Sequence, residues 1–255
     1  MRRMVITGFG RFGQLFADIS KTDFEVEILE IDDKLRELAQ KNGYKVVSVD
    51  DISHSDVICL AVPISKIEET IKSIQPFVKE SQLVMDVCSV KVYPAQLMKK
   101  YLTNCQTLAT HPLFGPDSAK NGLKGLKLVL CPLRVSEENV NFWKNFWTSR
   151  EVEVIVTTPE KHDEESIYSQ GFTYTIAKII NNMDISDLTF TTRSYEAIKR
   201  VADLSANDTD QLFHDMLYYN PYFKSMKEKF ENAVLKTRST LDKIENEQIK
   251  KEPSI

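Results

Sequence analysis

The chain is short of the features that mark several large protein classes. Only four of its 255 residues are cysteine, four are histidine, two are tryptophan and eight are glycine. Cys59, Cys88, Cys105 and Cys131 form no C-x-x-C pair, and no histidine stands at ligand spacing from two of them. A structural zinc site and a disulfide scaffold are therefore not expected. Three of the four lie in apolar runs, the pattern of buried reduced thiols, so the expected compartment is the cytoplasm. Basic charge is not in excess either. There are 33 Lys and Arg against 37 Asp and Glu, a formal net charge of −4, with a pI near 5.7. That balance leaves no footprint for a phosphate backbone, and no nucleic-acid partner is expected. No apolar run reaches the roughly 18 residues a membrane helix needs, so no membrane partner is expected. The start, MRRMVITGFG, enters a strand-like run at once, without a signal-peptide core.

What is present is 42% hydrophobic residues spread at folding density, over a length that suits one large or two modest domains. The front half alternates short β-branched runs (4–7, 24–31, 45–49, 57–62, 83–87, 107–109 and 126–131) with helical stretches such as 34–42 and 66–74. This alternation predicts a parallel sheet covered on both faces, a doubly wound Rossmann-type α/β domain. Beyond residue 158 the pattern is helical: 160–182, 194–202 and 210–241, the last interrupted at Asn220-Pro221. The expected organisation is a dinucleotide-binding domain over 1–156, an all-α substrate and dimerisation domain over 157–241, and a frayed charged tail over 242–255. Trp143 and Trp147, four apart, are read as a helix face packed between the two domains.

The strongest local motif is Gly8-Phe9-Gly10-Arg11-Phe12-Gly13, with a strand before it and a helical run after it. Gly8 permits the tight turn, Gly10 lets the backbone approach a pyrophosphate, and Gly13 lets helix and strand pack closely. An acidic residue is then needed about twenty positions on, to accept from the ribose hydroxyls. Glu30 stands there, with Asp32 as its rival. A carboxylate at that place repels a 2′-phosphate, so NAD is favoured and NADP stays open. Arg11, Phe12, Val62 and Pro63 complete the candidate cofactor set.

Two segments follow later strands, where ligands bind in open α/β sheets: Asp86-Val87-Cys88-Ser89-Val90-Lys91 and Thr110-His111-Pro112-Leu113-Phe114-Gly115-Pro116. His111, placed between a strand and a Pro- and Gly-punctuated loop, is the candidate proton acceptor. Ser89 is the candidate for holding the substrate hydroxyl or the imidazole. Lys91 reads as a source of charge or an ordinary surface lysine. His162, in a first helical turn, reads as structural. No nucleophile–base pair of hydrolase spacing is visible.

The combination of GFGRFG, DVCSVK, THPLFGP and TPEKHDEE followed by Ser169-Gln170 resembles the prephenate and arogenate dehydrogenases of tyrosine biosynthesis, in their plant-type and related microbial branch. The resemblance extends over about residues 4–223. It implies oxidative decarboxylation of a cyclohexadienyl acid, with hydride transfer to NAD(P). His111 matches the family's catalytic histidine and Ser89 the serine beside it. The helical half would bind the small-molecule substrate and build a homodimer. Gln170 and Thr173 occupy the positions of the two histidines in the Ser-His-x-x-His of many bacterial relatives. Asp208 falls where plant enzymes carry an acid linked with arogenate preference; it is equally suited to cap a helix. The resemblance thus favours arogenate, with prephenate as the other substrate. The length leaves no room for a fused chorismate mutase. Two other readings stay open: a two-domain 3-hydroxy acid dehydrogenase, for which Lys178 is the only candidate catalytic lysine, and a non-enzymatic nucleotide sensor.

Overall fold

The computed structural model describes residues 1–186, 188–206 and 209–251. Eight strands form one sheet: β1 (Arg2–Thr7), β2 (Phe24–Leu29), β3 (Lys45–Val46), β4 (Val57–Leu60), β5 (Leu83–Asp86), β6 (Gln106–Pro112), β7 (Lys127–Arg134) and β8 (Glu153–Val156). Their spatial order is β3-β2-β1-β4-β5-β6-β7-β8. The first six run parallel, joined in part by α1 (Arg11–Ser20), α2 (Asp33–Lys41), α3 (Ile67–Ile74) and α4 (Val92–Tyr101). The reversal of strand order falls between β1 and β4, the switch point where ligands bind in such sheets. The sheet is parallel as expected except at one pair, where β7 runs antiparallel to β6. The connection between them contains only a short turn at Ser118–Asn121 and no crossover helix, so the chain turns straight back. α5 (Glu137–Thr148) then restores a parallel crossover to β8.

Strand periodicity divides the core into two layers. Met4, Ile6, Val57, Cys59, Leu83 and Met85 face one side with Phe16 of α1 and Trp143 and Trp147 of α5. Val5, Ile58, Leu60 and Val84 face the other, with Ile67, Ile71 and Ile74 of α3 and Met98 of α4. The tryptophans therefore do not lie between the two halves. They are fully buried inside the sheet domain: Trp143 stacks on Phe24 at 5.7 Å, and Trp147 on Phe16 at 5.9 Å.

After β8 every described element is helical: α6 (Pro159–Ser166), α7 (Phe172–Asn182), α8 (Arg193–Ala206), α9 (Asp210–Tyr218) and α10 (Phe223–Lys251). A π-helical turn, Ile167–Gly171, joins α6 to α7. The interruption expected at Asn220-Pro221 separates α9 from α10, and the Asn220 side chain accepts from the Tyr222 amide at 2.9 Å. The tail expected to fray at Asp242 instead continues α10 to Lys251. Its Lys, Glu and Gln residues are good helix formers with no Gly or Pro among them, so extending an existing helix costs little. Among the described residues no helix is long and apolar enough to cross a membrane.

Truncating Trp143 to Ala should cost about 3–5 kcal/mol of unfolding free energy, read by urea denaturation followed by circular dichroism. A loss below about 1 kcal/mol would remove Trp143 from its place at the centre of that layer.

Candidate active site

The nucleotide end of the cleft is built by β1 and α1. Gly8 has φ +95°, its amide donates to the Leu29 carbonyl at 2.8 Å, and a Cβ there would meet the Ala61 carbonyl oxygen at 2.6 Å. A Cβ on Gly13 would run into the Gly8 carbonyl. Gly10 differs from both. It stands at the N-cap of α1 with φ −65°, and a Cβ would meet nothing within 4 Å. The space above Gly10 is therefore open to whatever approaches the turn. The first turn of α1 carries no acidic side chain, and a helix N-terminus of this kind suits a pyrophosphate.

Glu30 lies across this turn: its carboxylate accepts from the amides of Phe9 (2.7 Å), Ile31 (2.7 Å) and Asp32 (3.0 Å). Asp32 caps α2 by accepting from the Leu35 amide at 3.0 Å. Of the two rivals, then, Glu30 faces the glycine turn and Asp32 is engaged elsewhere. Arg11 pairs with Asp117 of the β6–β7 connection at 2.6 Å. The Phe12 ring stacks on Phe16 and meets Phe114, so any contact of Phe12 with a phosphate is through its backbone. Val62 packs at Gly8, and Pro63 leads into the turn Ile64–Lys66. The Ser65 amide of that turn donates to Asp215 of α9 at 3.0 Å. Burial works to raise the Asp215 carboxyl, but hydrogen bonds from Ser65, His214 and Gln211 outweigh it and hold its pKa below the usual value.

The second cluster lies at the same edge, where β5 and β6 end. Lys91 is fully buried; its ammonium donates to the Asp86 carboxylate and the Thr110 carbonyl. Asp86 also accepts from the Cys88 amide at 3.0 Å. Lys91 is therefore no surface lysine. His111 is 3% exposed and sits on β6 itself, paired in register with Val129, because the antiparallel β7 extends β6 to Pro112. Burial above all, with the Lys91 ammonium adding to it, drives its pKa well below 6.5, so the folded protein holds it neutral.

His162 belongs to this cluster, contrary to the structural role expected for it. Its Nε2 stands 2.8 Å from His111 Nδ1, and its Nδ1 stands 2.7 Å from the Asp163 carboxylate. Asp163 is fully buried and also accepts from the amides of Lys91 (2.7 Å) and Val92 (2.8 Å) at the start of α4. Ser89 is buried, and its hydroxyl has no hydrogen-bond partner, so it does not hold the imidazole. A buried hydroxyl left in this state is one that a ligand can satisfy.

The sequence held a signal for His162 and Asp163. The stretch PEKHDEES contains no large apolar side chain, yet it packs on α4 and on the His111 side chain, so its buried face is largely polar: His162, Asp163 and Ser166 beside Pro159. Gln170 lies on the π-helical turn with its Oε1 buried and unpartnered. Thr173 is half-buried and donates back to the Ser169 carbonyl at 2.7 Å. Asp208 lies outside the described residues. Lys178, the lysine needed for a 3-hydroxy acid dehydrogenase, is on the surface and paired with Asp210 at 2.5 Å.

The model of the nucleotide-binding domain of prephenate dehydrogenase matches residues 18–156. The chain belongs to the prephenate dehydrogenase family. That match begins after the glycine turn, whose role rests on its own geometry. A second model, "TYRAAT1-like, C-terminal domain", matches residues 179–253. The chain is similar to Arogenate dehydrogenase 1, chloroplastic, of Arabidopsis thaliana, 28% identical over 91% of this chain and 38% of that one. It is similar to Arogenate dehydrogenase 2, chloroplastic, of the same plant, at 26% over 94% and 70%. The chain thus spans little more than a third of the first relative's length. In fold it resembles the prephenate dehydrogenase of Aquifex aeolicus solved with hydroxyphenyl propionate and NAD+, with a TM-score of 0.76 at 18% identity, covering 97% of this chain and 93% of that one.

Two outcomes follow for this family member. Gly10→Ala should leave the ligand-free melting temperature unchanged while NAD affinity, measured by calorimetry, falls at least tenfold, about 1.4 kcal/mol; unchanged affinity would dismiss the turn as the phosphate site. Because His111 is neutral when folded and takes up a proton near pH 6.5 when unfolded, the unfolded state binds more protons below that pH. Stability should therefore decline as pH falls from about 6.5, and His111→Asn should flatten that decline in urea melts from pH 7 to 5. An unchanged slope would show His111 already protonated in the fold.

Proposed function

We propose that the protein oxidatively decarboxylates arogenate or prephenate, transferring a hydride to NAD, and that His111 is the proton acceptor. The single observation that carries this reading is a buried, neutral imidazole fixed on the end of β6, at the same sheet edge as the glycine turn, in a chain of this family. The residues present suit the dinucleotide: the unobstructed Gly10, the N-terminal end of α1 with no acid in its first turn, and Glu30 where ribose hydroxyls would lie. The carboxylate of Glu30 supports NAD over NADP, since a 2′-phosphate beside it meets like charge.

When bound, NAD supplies the hydride acceptor. The protein's own part is small, because the ring becomes aromatic as the carbon–carboxylate bond breaks and its electron pair enters the ring. His111 removes the proton of the ring hydroxyl as the hydride leaves the carbon bearing it. The same proton returns to the phenolate oxygen after carbon dioxide departs, so none is released overall. The Ser89 hydroxyl, lacking a partner in the protein, would hydrogen-bond the substrate hydroxyl and orient it. Gln170 brings a neutral donor and acceptor to the substrate side, with Thr173 and Asp208 as further candidates. The ammonium of arogenate would suit Asp208, which favours arogenate over prephenate.

Exposed Val234, Leu235, Leu241 and Ile244 on α10 support a homodimer built through the helical half. Four buried, unpaired thiols suit a reducing compartment such as the cytoplasm. Purified protein offered arogenate and prephenate separately, each with NAD and NADP, should release carbon dioxide in step with cofactor reduction, fastest with arogenate and NAD. His111→Asn should lower turnover on the order of 10²- to 10⁴-fold with cofactor binding little changed. No turnover of either acid by the wild type, or near-normal turnover in the variant, would overturn the reading.

A further inference from the structure

A carboxylate can only accept. Asp163 Oδ1 lies 2.7 Å from His162 Nδ1, so that nitrogen carries a proton. If the His162 ring holds that proton alone, its Nε2 is an acceptor. This acceptor faces His111 Nδ1 at 2.8 Å, a separation that requires a proton between the two nitrogens, and only His111 can provide it. His111 Nε2 makes no hydrogen bond to any described residue.

We propose that His162 and Asp163 are positioning residues that lock the His111 proton onto Nδ1, leaving Nε2 as the ring's lone-pair nitrogen. The chain of contacts is buried at every member, with side chains 3% exposed or less for His162 and Asp163. Within it the tautomer is fixed by geometry, where an isolated histidine would exchange freely. When Nε2 accepts a proton, the Nδ1–H bond to His162 persists. The resulting imidazolium then faces, through one intervening ring, the Asp163 carboxylate. His162 and Asp163 arrive on α6, the first helix beyond the sheet, while His111 lies on β6. The Asp163 carboxylate is seated on the amides that open α4, and the Asn220 side chain, at the α9–α10 junction, donates to the Asp163 carbonyl at 3.0 Å. The base is thus set in its working form only when the helical half is docked on the sheet.

The kinetic consequence rests on the dehydrogenase reading; the tautomer does not, and the two are tested apart. In full-length protein labelled with 15N-histidine, long-range proton–nitrogen correlation at neutral pH should show His111 protonated on Nδ1, with the resonance assigned by its loss in His111→Asn. His162→Leu should abolish that preference and lower turnover on the order of 10²-fold, with the KM for the cofactor little changed. His162→Gln, whose amide oxygen can take the Nδ1 proton, should restore both. A wild-type His111 protonated on Nε2 would overturn the proposal with no variant needed. So would a folded His162→Leu that keeps the wild-type tautomer and rate. Absence of turnover in the wild type, with the Nδ1–H signal intact, would sink the dehydrogenase reading and leave the tautomer lock standing.

Discussion

One buried carboxylate joins the two halves of this molecule. Helix α4 begins without a side-chain cap of its own: its N-cap position is Lys91, whose side chain is turned inward to Asp86. The orphan amides at that terminus are satisfied by Asp163, 72 residues further along the chain, with the helix dipole reinforcing the attraction. A local Ser or Asp cap would have served α4 just as well in energy. The tertiary cap does more, because it makes the start of a sheet-domain helix depend on the presence of the helical half. Ser89, the nearby residue type suited to capping, is thereby left uncommitted at the cleft.

Beneath this junction lies the Asp86–Lys91 pair, both members fully excluded from water. Such a pair adds little net stability, because desolvating two ions offsets most of their attraction. Its value is in what it does to its neighbours. The ammonium ties the end of β5 to that of β6 through the Thr110 carbonyl, and it adds a positive charge that helps to keep His111 neutral. The buried charge of Lys91 thus favours the neutral imidazole at His111, one residue before the end of β6.

Much of the fold was legible in the sequence because period-two and period-3.6 apolar patterns are properties of single elements. Seven of the eight strands follow from them, while the break at Asn220-Pro221 and the glycine turn were legible from residue type. What escaped was whatever depends on two elements at once. The direction of β7 is set by the missing crossover helix, a feature that apolar runs do not encode. The burial of Lys91 depends on a carboxylate five residues back and a carbonyl on the adjacent strand. The membership of His162 in the buried cluster depends on its side chain, carried by α6, meeting that of His111 on β6, where Thr158 caps a helix too polar to be buried by hydrophobicity alone. The tryptophan pair shows the same limit: its helical spacing was plain, but which face of the molecule it served was not.

That placement of the aromatic rings has a spectroscopic consequence. Both tryptophans of the chain belong to a single layer under the nucleotide-binding sheet, packed with Phe16, Phe24 and Phe146, and none lies beyond Trp147. Indole emission is consequently a reporter confined to one half, whereas the ellipticity of α6 to α10 weighs mainly the other. Disagreement between the two signals in a melt would measure how far the halves come apart before either one is lost.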